Sequence, residues 1–170
     1  MALGSSGDDP RAVGQALEYL RPQVPLLIVA TDRQSAALGK HGVPVVVSEC
    51  PGNAGMLLAA LEWAAAHSRE TPWVATVLAE RAALPPDLVA RLATAVARCG
   101  ADMACVAGGG RIAWEFGLWP VRLRRDLRRR AAGAGVTHVA DWARNFAVAV
   151  VDMPTPITPP HPSWAPSGEI

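Results

Sequence analysis

The chain has 170 residues, of which 51% are apolar, and a formal net charge of +1. That length suits one domain with a substantial core and is cramped for two, and a charge so near zero provides no global field for nucleic acid or a membrane surface. No uninterrupted apolar run approaches the roughly 18–20 residues that span a bilayer, and the opening "MALGSSGDDP" lacks the basic start and apolar centre of a signal peptide. A cytoplasmic protein without nucleic-acid or membrane partners is therefore expected.

In chain order, residues 1–8 are rich in Gly and Ser and read as a flexible leader. Asp8 or Asp9 then caps a helix with Pro10 in its first turn, and Val13, Leu17 and Leu20 recur at helical spacing up to Pro22. "PLLIVATD" (25–32) and "VPVVVSE" (43–49) are short apolar strands with polar ends, and "GMLLAALEWAAAH" (55–67) is helical in composition. A strand near 73–79, a helix near 86–98, strands near 102–107 and 112–119, an Arg-rich helix over 121–131 and a strand over 146–153 follow. Such alternation predicts a single α/β domain over 9–153, with a largely parallel sheet between two helical layers. The proline-rich remainder, 154–170, loses backbone donors and favours extended conformations, so a surface tail is expected.

"AGGGR" (107–111) sits between two strands without Walker spacing, so it reads as a hairpin turn in preference to a phosphate loop. Cys50, Cys99 and Cys105 lack metal or redox spacing and read as small buried thiols in a reducing compartment. His41, His67, His138 and His161 show no ligand spacing, and Trp73, Trp114, Trp119 and Trp142 read as core. Trp164 stands apart as a possible tail anchor. The helix "VRLRRDLRRR" offers Arg124 and Arg128 as anion-binding candidates, set against a solvated basic face. Glu80 ends the 73–79 strand at the sheet edge where α/β proteins bind ligands, as a metal carboxylate or as a plain strand terminus.

"ALEYLRPQV", "GVPVVVSECPGNAGMLLAALEWAAA", "LPPDLVARL", "FGLWPVRLRRDLRR" and "VADWARNFAVAVVDMPTPI", in that order, resemble the molybdenum cofactor guanylyltransferases of MobA type, over about residues 9–158. The resemblance implies a three-layer, Rossmann-like nucleotide-diphospho-sugar transferase fold. It also implies a magnesium-dependent reaction in which the GMP part of GTP joins molybdopterin and pyrophosphate leaves. Carried onto this chain, it implies nucleotide contacts at Thr31, Ser48, Gly52 and Gly55 and a metal position at Glu80.

The family's glycine-rich loop, LAGGxSxRMGxDK, has no counterpart before the first helix, so the usual first strand is expected to be missing. The strands near 25–30 and 73–79 would then pair directly or have their gap filled by another segment. The family's Asn, Asp and metal-binding Asp are replaced by Thr31, Ser48 and Glu80; Met56 and Leu58 add bulk near the nucleobase position; "HPVFGLWP" becomes "AWEFGLWP"; and Pro162 and Trp164 stand where the family keeps Asn near the metal. Two readings remain open: a guanylyltransferase-like enzyme with altered chemistry, or a non-catalytic paralogue that binds or regulates within molybdenum cofactor assembly, with molybdopterin or a cofactor protein as partner.

Overall fold

A computed structural model of the chain describes residues 2–5 (backbone), 9–68, 70–79, 85–133 and 135–153. Among these, seven strands form one sheet: β1 (Ala2–Ser5), β2 (Ile28–Thr31), β3 (Val45–Val47), β4 (Trp73–Leu78), β5 (Met103–Gly108), β6 (Arg111–Pro120) and β7 (Val148–Asp152). Five helices accompany them: α1 (Pro10–Leu20), α2 (Gly52–His67), α3 (Leu88–Cys99), α4 (Arg124–Gly133) and α5 (Val139–Ala143). The sheet order is β3-β2-β1-β4-β6-β5-β7, and only β6 runs antiparallel to its neighbours.

The opening residues correct the expectation of a missing first strand. Ala2–Ser5 form the central strand β1, parallel to β2 on one side and β4 on the other, with Leu3 opposite Val29 and Val77. Gly and Ser are poor strand formers, but flanking strands on both sides supply ladder partners, so context overrides local preference. An empty central gap would strand buried N–H and C=O groups at about 1–3 kcal/mol each. Of the segment read as a leader, residues 1 and 6–8 lie outside the described residues, as does the 154–170 tail.

Side chains alternate across the sheet into two cores. Val29, Ala75, Val77, Ala104 and Val106 pack with α1, α3 and Leu38; Ile28, Ala30, Val74, Met103 and Cys105 pack with α2, α4 and α5. Burial on both faces is why the strands read as unbroken apolar runs. Asp9 caps α1 by accepting the Arg11 N–H at 2.9 Å, and Val13, Ala16, Leu17 and Leu20 form its buried stripe. The hairpin read in "AGGGR" is present. Gly108 faces Arg111 across Gly109 and Gly110, whose φ values of 60° and 77° suit the two central positions of a tight hairpin turn. The 3₁₀ turn at Leu38–His41 and helix α5 were not anticipated, and the Arg-rich segment divides into a 3₁₀ turn, Val121–Leu123, and α4. Of the three cysteines expected to be buried, only Cys105 is; Cys50 is half-buried, and Cys99, in the last turn of α3, is exposed.

Candidate functional site

The parallel strands end at one edge of the sheet, and there the structure brings together four of the positions singled out in the sequence. Thr31 closes β2 and is buried; its carbonyl accepts the Ser48 N–H at 2.8 Å and its Oγ1 accepts the Arg33 N–H at 3.3 Å. Ser48, just past β3, donates its hydroxyl to the Cys50 carbonyl at 2.7 Å and accepts the Cys50 N–H at 3.2 Å. The turn then enters α2 at Gly52, whose φ of 77° favours glycine. A Cβ on Gly52 would lie 2.2 Å from the Thr137 carbonyl oxygen, and one on Gly55 would lie 2.1 Å from that of Cys50. Both glycines are therefore needed for close backbone approach within the protein itself.

Helix N-termini at this edge are natural anion sites, because free N–H groups and the helix dipole point at the ligand. Here both carry partners from the chain. The Ala54 N–H at the start of α2 donates to the Thr137 carbonyl at 3.1 Å, and Asn53 Oδ1 accepts the Val139 N–H at 2.8 Å. At α1 the Asp9 carboxylate holds the Arg11 N–H, and four residues, 6–9, connect β1 to that helix.

Glu80 lies outside the described residues, as do Pro162 and Trp164. Among the described residues, no three His, Cys, Asp or Glu side chains converge to hold a metal ion. Arg124 and Arg128 do not converge on the edge. Val121, next to α4, donates its N–H to the Pro72 carbonyl at the start of β4, which places Arg124 at the opposite edge; its guanidinium donates to the Val121 carbonyl at 3.2 Å. Arg128 pairs with Glu62 at 2.5 Å, ten residues into α2 and so about 15 Å along that helix from Gly52. Arg129 and Arg130 pair with Asp126, which also accepts the Trp142 indole N–H at 3.0 Å. The Trp142 bond, followed by the arginine pairs, holds the Asp126 carboxyl below its ordinary value. These contacts fasten the basic helix α4 to α2 and α5.

A small pocket, half open to solvent, lies on the α2 face of the sheet between Asn53, Met56, Thr76, Trp114, Glu115 and Trp119, among other residues. A break in strand pairing shapes it. Cys105 faces Gly117 while Val106 faces Ala113, so Trp114, Glu115 and Phe116 have no partner on β5 and the strand bulges. The bulge sends Phe116 into one core and sets Trp114 and Glu115 on the pocket wall. Trp119 is fixed by its indole N–H, which donates to Thr76 Oγ1 at 2.7 Å. Sequence reasoning missed Thr137, Asn53 and Glu115. The first two act through contacts distant in sequence, whereas the change from "HPVFGLWP" to "AWEFGLWP" marked the third without showing where it points.

A sequence profile of the MobA-like NTP transferase domain matches residues 8–142. The molybdenum cofactor guanylyltransferase of Bradyrhizobium sp. (strain ORS 278) is 35% identical over 158 residues, covering 87% of this chain and 74% of that protein. Among solved structures, molybdopterin-guanine dinucleotide biosynthesis protein A from Archaeoglobus fulgidus matches with a TM-score of 0.66 at 12% identity, over 89% of this chain and 83% of that one. A Mycobacterium tuberculosis protein in complex with manganese matches with a TM-score of 0.61 at 13% identity, over 91% and 89%. These two likenesses concern the fold, which is that of the nucleotide-diphospho-sugar transferases.

Proposed function

Because the chain belongs to the MobA-like NTP transferase domain family, we propose that it serves molybdenum cofactor assembly as a binding protein on a guanylyltransferase scaffold, without transferring GMP from GTP. One observation carries this reading: among the described residues, first-turn N–H groups of α1 and α2 at this edge already have partners within the chain. Asp9 places a carboxylate on the N-terminus of α1, and the Thr137 carbonyl takes a first-turn N–H of α2. A triphosphate there would meet like charge at the first helix and a donor already engaged at the second. Ser48 likewise commits its hydroxyl to neighbouring backbone, both donating and accepting, and Thr31 Oγ1 accepts the Arg33 N–H.

Magnesium and GTP belong to the family's reaction, and Glu80 is the family-equivalent metal position. On this reading Glu80 is vestigial, and Glu80→Gln leaves ligand binding unchanged. The rival reading, a working guanylyltransferase, draws on the 35% identity to the Bradyrhizobium enzyme. Incubation of the purified chain with molybdopterin, GTP and magnesium separates the two. Chromatography should show no dinucleotide above the protein-free control, whereas magnesium-dependent turnover abolished by Glu80→Gln would overturn the proposal.

A further inference from the structure

Glu115 is the one charged side chain on the pocket wall among the described residues, and there it has neither ion pair nor hydrogen-bonded partner. The surrounding wall is mostly apolar, with two indoles, Trp114 and Trp119, and the Met56 side chain. The polar groups nearby are few and oriented. Thr76 Oγ1 accepts from the Trp119 indole, which leaves its hydroxyl proton to donate, and Asn53 Oδ1 accepts from Val139, which leaves its NH2 group.

The pocket therefore suits a flat ring with apolar faces, one edge rich in N–H donors and an acceptor elsewhere. A phosphate would meet the Glu115 charge with no lining cation to offset it. A carboxylate's two oxygens match two parallel N–H donors on neighbouring nitrogens, the geometry that makes guanidinium–carboxylate pairs bidentate. A 2-amino-4-oxopyrimidine ring presents the same H–N–C–N–H edge, and both guanine and pterins contain it.

We propose that Glu115 is the specificity-determining residue of this pocket and that it recognises the 2-amino-4-oxopyrimidine edge of a heteroaromatic ring stacked against Trp114. The choice of ring class rests on the functional reading above; the demand for a donor edge rests on the pocket. Thr76 and Asn53 supply donors for the ring's acceptors. The β6 bulge is what brings the carboxylate and the indole to the same wall.

Equilibrium dialysis of the full chain at neutral pH against four probes tests this. Pterin and guanosine carry the 2-amino group; lumazine has an oxygen in its place and inosine a hydrogen. A donor paired to a charged acceptor predicts at least about tenfold tighter binding of an amino probe than of its analogue. Glu115→Gln should reduce that ratio to about twofold or less, because the amide offers one acceptor and no charge. Preference for pterin over lumazine alone identifies a pterin site, preference for guanosine over inosine alone a nucleoside site, and both preferences a site for the shared edge. Equal binding within each pair, no binding of any probe, or a ratio unchanged in Glu115→Gln overturns the assignment. Circular dichroism of the variant checks its fold. Guanylyl transfer in the assay above would sink the non-catalytic reading and leave this assignment standing, so the two fail separately.

Discussion

Asp126→Ala is expected to loosen the site from a distance. Trp142 is fully buried, and its indole N–H donates to Asp126 at 3.0 Å, joining α5 to α4. Removing the carboxylate leaves that N–H without an acceptor, at about 1–3 kcal/mol. The two arginine pairs add little, about 0–1 kcal/mol together, because Arg129 and Arg130 are 78% and 41% exposed. The total of about 1–4 kcal/mol corresponds to a fall in Tm of about 2–16 °C for a chain of this size. Asp126→Asn retains an acceptor oxygen and should lose less than half as much. The Asp126 carboxyl is held below its ordinary value, so its contribution is fully present above the unfolded value, about pH 4, and is lost as pH falls through the folded one. Thermal melts of the parent and both variants at pH 7 and pH 3 provide the test. The Thr137 and Val139 contacts at the start of α2 should show faster hydrogen exchange in Asp126→Ala. A loss below about 0.5 kcal/mol, or equal losses in the two variants, would refute the role given to the indole bond.

Gly55→Ala drives a methyl group to 2.1 Å from the Cys50 carbonyl oxygen and should cost about 1–3 kcal/mol or more, read by denaturant titration. Arg128→Ala removes an exposed pair with Glu62 and should change stability by less than about 1 kcal/mol, with probe binding in dialysis unchanged. Burial, and then the Glu115 charge, push the Cys105 thiol up, so a thiol reagent at neutral pH should modify exposed Cys99 promptly and Cys105 only on unfolding.

Elements with a strong period were readable from the chain alone. Val13, Leu17 and Leu20 announced α1, and the glycines at 109 and 110 announced the hairpin. β1 was hidden because "ALGS" has neither length nor apolar alternation; what makes it a strand is the pair of neighbours at β2 and β4. α5 has five residues, too few to show a period, and is fixed by Trp142 and the Asn53 cap. At the site, the cluster of Thr31, Ser48, Gly52 and Gly55 was legible through family likeness. Their inward hydrogen bonds were not, because the partners, Thr137 above all, lie far away in sequence. Arg128 looked free on a basic helix until Glu62 appeared beside it.

If partners within the chain keep a triphosphate from the starts of α1 and α2, titration calorimetry of the full chain with GTP and magnesium should show no saturable heat below about millimolar GTP. Magnesium-dependent binding in the micromolar range by the full chain, and equally by Asp9→Asn, would show that these groups do not exclude the nucleotide.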